Sequence, residues 1–185
     1  MTTMLIVLGV LALFIVFLYN RLVSLRQKRH NAFADIEVQL KLRHDLIPNL
    51  VETVKGYAAH ESEIMQRVTE ARASAMRGGL TTTDKIQAEQ QLQGALVNLM
   101  AVSENYPQLK ADANFLQLQT ELSDIENKIS AARRFFNNAT REYNTAREQF
   151  PANMLAAPFG FGPETFFELS EAEKTVTATP PKVGF

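Results

Sequence analysis

The chain has 185 residues, a formal net charge of −1, no cysteine and no tryptophan. That length suffices for one domain with a real core. A balance so close to neutral excludes the global basic field of a nucleic-acid binder, and the missing cysteines exclude disulfides, thiolate metal sites and a cysteine nucleophile. Strand-like Val/Ile/Thr alternation is almost absent, so the composition points to an all-α protein.

Met4 through Tyr19 form an uncharged apolar run. With Thr2, Thr3 and Asn20 it approaches the roughly 17 to 20 residues that cross a bilayer. No Lys or Arg precedes it, and Leu18-Tyr19-Asn20-Arg21 is a poor cleavage site. Residues 1–20 therefore read as an uncleaved transmembrane anchor rather than a signal peptide. Arg21, Arg26, Lys28 and Arg29 follow at once. By the positive-inside rule they put the body in the cytoplasm and the amino terminus outside, with a periplasmic body as the alternative. The same charges suit anionic headgroups, which makes membrane lipid an expected partner.

Residues 21–150 read as the body. No Gly or Pro lies between Gly9 and Pro48, so one helix is expected to run out of the bilayer. Ile36, Leu40, Ile47, Leu50, Val54, Tyr57, Ile64, Val68 and Ala71 keep one apolar face. The phase survives Pro48, which predicts a kink rather than a stop, and the helix is expected to end at Arg77-Gly78-Gly79. Thr81 to Asp84 offer N-caps for a second helix with the face Ile86, Leu92, Leu96, Leu99 and Val102. Tyr106-Pro107 ends it.

Asp112 or Asn114 can cap the third helix. From Phe115 through Leu118, Leu122, Ile125, Ile129, Ala132, Phe136, Ala139, Tyr143 and Ala146 to Phe150, apolar residues recur at alternating steps of three and four. This is a heptad seam. Short connections between such rods imply an antiparallel bundle of three to four long, coiled-coil-like helices behind the transmembrane helix.

Residues 151–185 form a tail containing Phe, Gly and Pro. Its stretch 168–182 is polar and looks loose. Phe159, Phe161, Phe166 and Phe167 are too aromatic for a free tail. They either anchor a partner or fold back on the bundle. Fold-back is favoured, because a permanently exposed patch invites aggregation.

Polar residues flank the apolar seams: Arg43 and Glu61 on the first rod, and Glu126, Arg133, Asn137 and Asn144 on the third. One reading is a solvated face with local pairs worth a few tenths of a kcal/mol each. The other is a partly buried interhelical ladder that fixes register. His60-Glu61 lacks a second His four positions on, where Ile64 stands, and His30, His44 and His60 do not converge. No nucleophile–base pairing is visible, and Gly78-Gly79 is a helix stop rather than a phosphate loop. Catalytic, cofactor-binding and metal residues are expected to be none, and the chain reads as non-enzymatic.

Several segments together resemble the LemA family: Leu18 to Val23, Val38 to Lys41, Asp45 to Tyr57 with His60-Glu61, Tyr106 to Ala111, Glu126 to Ile129, Ala132 to Arg134, Tyr143-Asn144, Phe150-Pro151 and Phe159 to Phe161. Phe135 departs from the usual Tyr, which affects only a hydrogen bond from that ring. The resemblance implies a bacterial inner-membrane protein with an amino-terminal anchor, an antiparallel helical bundle and no established enzymatic activity. Some family members are associated with membrane-bound heat-shock metalloproteases, and one branch resembles a magnetosome membrane protein. The expected function is a single-pass scaffold presenting its bundle to a membrane partner, such as a metalloprotease, or to copies of itself. The alternatives are a membrane-organising protein that self-assembles into larger homo-oligomers and, remotely, an enzyme.

Overall fold

The computed structural model describes residues 1–167. The polar stretch 168–182 and Phe185 lie outside them. The described residues form six helices and no strand: α1 (Thr2–Tyr57), α2 (Ser62–Ala75), α3 (Thr82–Ser103), α4 (Pro107–Lys110), α5 (Ala113–Glu148) and α6 (Ala152–Ala156). They fall into two compact units, Met1–Val38 with Ser130–Phe166 and Gln39–Ile129 with Phe167, so α1 and α5 each contribute to both.

In the Gln39–Ile129 unit, the single rod expected up to Gly78 is two helices. α1 runs through Pro48 and stops at Tyr57, and α2 starts at Ser62. Gly56 weakens the last turn, costing about 1 kcal/mol of helix propensity relative to Ala. The Ala58 N–H still donates to the Val54 carbonyl at 2.8 Å, but the Glu61 N–H turns back to Ala58 at 3.0 Å. Apolar spacing could not reveal this break. A hairpin between two amphipathic helices keeps both stripes on the same core, so the seven-residue step from Tyr57 to Ile64 hides the turn.

α2 doubles back along α1, as the reach of Arg72 to the His44 carbonyl requires, and packs against α3. Thr81 caps α3 by accepting from the Asp84 N–H at 3.2 Å while its hydroxyl donates to the Asp84 carboxylate at 2.7 Å. Pro107 opens α4, where its missing N–H costs nothing. Asp112 then caps α5 by accepting from the Phe115 N–H at 2.9 Å. The result is four rods, each antiparallel to the next, around Leu50, Val54, Val68, Leu92, Leu99, Phe115 and their neighbours.

In the other unit α1 and α5 run antiparallel, with Lys28 meeting Glu142 at 2.7 Å and Arg29 meeting Thr140 at 3.1 Å. Phe33 and Phe136 pack with ring centroids 5.4 Å apart. The heptad seam fails at its last member. α5 ends at Glu148, so Phe150 leaves the helix and is 80% exposed. After α6 the chain turns at Gly160, whose φ of 72° suits a residue without Cβ. Phe161 then returns to a core of Leu18, Leu22, Tyr143, Ala146, Ala152 and Ala156.

The first part of α1 differs from everything else. From Thr2 to Phe17 the helix is exposed on every face, with only Ile15 half-buried. It is the one helix among the described residues long and apolar enough to cross a membrane.

Candidate functional site

The most deeply buried charges lie inside the four-rod unit. Arg43 of α1 is 3% exposed, and Glu89 of α3 is 2% exposed. Arg43 Nη1 donates to Gln93 Oε1 and Glu126 Oε1, both at 2.8 Å, and Nη2 donates to Glu89 Oε2, while the buried Nε has no hydrogen-bond partner. His44 Nε2 stands 3.0 Å from Glu89 Oε1, at ion-pair distance but without the alignment of a hydrogen bond. Burial is the largest influence on the Glu89 carboxyl and pushes its pKa up. The close His44 ring and the Arg43 charge together outweigh burial, so the carboxyl titrates below its ordinary value. Arg43 thus joins α1, α3 and α5.

A second tie adds α2 and has a backbone cause. Pro48 has no N–H, so the His44 carbonyl four residues earlier loses its intrahelical donor. Arg72 of α2 supplies a replacement, its Nε donating to that carbonyl at 2.7 Å. All four long helical segments of the unit are therefore fastened around residues 43 and 44. Beyond the cluster, Tyr57 donates to Asp112 at 2.9 Å and Tyr106 to Glu61 at 3.2 Å.

The other unit has its own buried cation. Arg29 is 2% exposed. It donates to Thr140 Oγ1 and to the Thr165 carbonyl, each at 3.1 Å, pairs with Glu164 at 3.0 Å and lies 4.7 Å over the Phe136 ring. Burial lowers its pKa, and the carboxylate of Glu164 works in the opposite direction. The segment after α6 is held beside it. Asn144 Nδ2 donates to the Glu164 carbonyl at 2.9 Å, and its Oδ1 accepts from the Glu164 N–H at 3.0 Å. The Tyr143 hydroxyl donates to the Gly162 carbonyl at 3.0 Å. Phe161 is buried beneath Arg26, whose guanidinium lies 4.8 Å from the ring centroid.

The residues singled out in the sequence are thereby divided. Arg43 and Glu126 meet directly. Glu61 sits in the α1–α2 turn against Tyr106, away from that pair. Arg133, Asn137 and Asn144 belong to the other unit, where Asn144 holds the Glu164 backbone and the other two are half-buried on α5. Among the four basic residues after the apolar run, Arg29 is turned inward and so does not reach headgroups. Arg26 covers Phe161, Lys28 pairs with Glu142, and Arg21 is exposed. Of the aromatic patch, Phe161 and Phe167 are buried, while Phe159 and Phe166 are partly exposed.

Sequence reasoning missed His44, Arg72, Glu89 and Gln93. Glu89 did leave a signal, since it interrupts the α3 stripe three residues after Ile86 and three before Leu92. Among the described residues, no group of three or more His, Asp or Glu is arranged to hold a metal ion. What the clusters supply is directional pairing between helices.

An all-α body joined to a candidate membrane helix, with charges used internally to pair helices, defines the class of this protein. The match to the LemA family model extends over residues 32–185, and the chain belongs to the LemA family. It is 26% identical over 187 aligned positions to magnetosome protein MamQ of Magnetospirillum gryphiswaldense, covering 88% of this chain and 69% of that protein. Protein LemA of Metamycoplasma hominis is 26% identical over 155 positions, covering 84% and 71% respectively. Magnetosome protein MamQ 2 of Paramagnetospirillum magneticum is 26% identical over 187 positions, covering 88% and 69%.

Proposed function

We propose that this protein is a single-pass, membrane-anchored helical scaffold of the LemA type that works by binding other proteins, not by catalysis. The observation that carries this reading is the abrupt change along α1. Thr2–Phe17 exposes large apolar side chains on every face, and the same helix then enters a charged, water-compatible body. Nothing but lipid or protein suits the first part. The charge cluster around Arg43 supports a scaffold, because ion pairs placed between helices penalise slipped registers and hold surfaces in fixed relation.

The body faces the cytoplasm of a bacterial inner membrane, since the basic residues directly follow the span. Its partner is a membrane protein, with a membrane-bound metalloprotease the first to test, or another copy of the chain. Affinity purification from gently solubilised membranes tests the reading. An enriched partner or a stable homo-oligomer is expected, and a lone monomer overturns it. Native mass spectrometry of the same material separates the scaffold from a self-assembling organiser of membranes, which gives a large discrete homo-oligomer. A reporter fused after Phe185 that is active only in the cytoplasm fixes the orientation.

A further inference from the structure

We propose that the elbow Phe150–Phe159 is a second membrane-contacting element, a foot that rests in the lipid interface beside the anchor. The inference depends on the anchored reading above.

Three large apolar side chains stand out from this short segment: Phe150 at 80%, Met154 at 67% and Phe159 at 49% exposure. They are not the outside of a loose tail. Ala152, Ala156 and Phe161 hold the segment against Leu18 and Leu22 of α1, and Tyr19 lies edge-on to the Phe159 ring at 5.4 Å. Large apolar side chains exposed together on a packed segment mark a contact site.

Height along α1 says which contact. Thr2–Phe17 spans roughly 24 Å at about 1.5 Å per residue. The hydrocarbon layer is about 30 Å thick. The bilayer therefore reaches about four residues further, to the level of Asn20 and Arg21, with Arg21 extending its charge into the headgroups. Lys28 of α1 meets Glu142 of α5, and the two helices are antiparallel with equal rise. Stepping from Glu142 on to Phe150 matches stepping from Lys28 back to Asn20, so Phe150 falls within a turn of that level. From there the chain makes α6, turns at Gly160 and climbs again to Glu164 and Thr165 beside Arg29. The elbow is thus where this unit reaches the lipid boundary, and Tyr19 with Phe159 matches the aromatic residues that favour that depth. A second copy of the chain would have to compete with lipid for the same surface.

The test uses the full chain reconstituted in lipid vesicles. The protein has no tryptophan, so a single introduced one reports its own surroundings. Four variants are compared, Phe14→Trp, Phe150→Trp, Met154→Trp and Val97→Trp, the last at an exposed site on α3. All four sites are exposed, and unchanged helical circular dichroism checks the fold. Lipids brominated near the bilayer centre should quench Phe14→Trp most. Lipids brominated near the headgroups should quench Phe150→Trp and Met154→Trp most, and neither lipid should quench Val97→Trp. Quenching of Phe14→Trp alone overturns the foot and leaves the anchor standing. Loss of quenching at every site overturns both. Blue-shifted but unquenched emission from Phe150→Trp and Met154→Trp means that protein covers the elbow, which also overturns the proposal.

Discussion

Arg43 spreads one guanidinium over two carboxylates and an amide, and the Glu89 carboxylate among them is almost entirely shut off from water. Such a group is costly to leave alone. Removing one partner of a buried pair costs about 3–5 kcal/mol, whereas replacing all partners by apolar groups is often neutral. Arg43→Leu should therefore lose about that amount in urea unfolding, and Arg43→Met with His44→Leu and Glu89→Leu should recover most of it. The pH response has a definite sign. The Glu89 carboxyl titrates below its ordinary value of 4.5, so its contribution is complete above that value and is lost as pH falls through the lower folded value. The stability gap between the parent protein and Glu89→Gln should narrow under acid, as pH falls through the lowered Glu89 value, as followed by unfolding titrations. Arg43 was legible beforehand because a charge on an apolar stripe asks for a partner. Glu89 gave the same signal on α3, and so did Arg29, which stands seven residues after Leu22 and three before Ala32. A one-dimensional stripe announces that a charge is buried without saying which helix answers it.

At the level of whole helices, the informative link is Pro48, the His44 carbonyl and Arg72. A proline within α1 creates an acceptor without a donor, and α2 fills it from outside. Arg72→Met should cost about 1–3 kcal/mol, the penalty for leaving a partly buried acceptor unsatisfied. In a Pro48→Ala background the helix supplies its own N–H, so the same substitution should cost markedly less. A thermodynamic cycle of the four proteins measures that difference directly. The helical rods and their caps at Thr81 and Asp112 were readable from propensity, spacing and turn chemistry. The hairpin at Ala58–Glu61 was not, because antiparallel neighbours share a core and leave the spacing of apolar residues undisturbed. Phe150 was misassigned for a related reason: spacing alone does not register where a helix stops.

Across the molecule, the candidate span and the folded body share one helix, and Leu18 is its first buried residue. Removing residues 1–17 should leave a protein that stays dispersed without detergent and keeps Phe161 in place. Removing residues 1–25 also takes Leu18, Tyr19 and Leu22, which hold that ring. Amide exchange at Phe161 and Glu164, both hydrogen-bonded in the structure, should then accelerate by about tenfold or more.

The pairing of Lys28 with Glu142 joins positions 114 residues apart. On the ribosome the apolar segment emerges before the α5 residues that will clasp its base. The hairpins of α2 and α3 can close early from short-range contacts, but the clasp must wait until α5 has been translated. Delivery to lipid is therefore free to finish before the base locks, and birth order along the chain keeps the two events from competing.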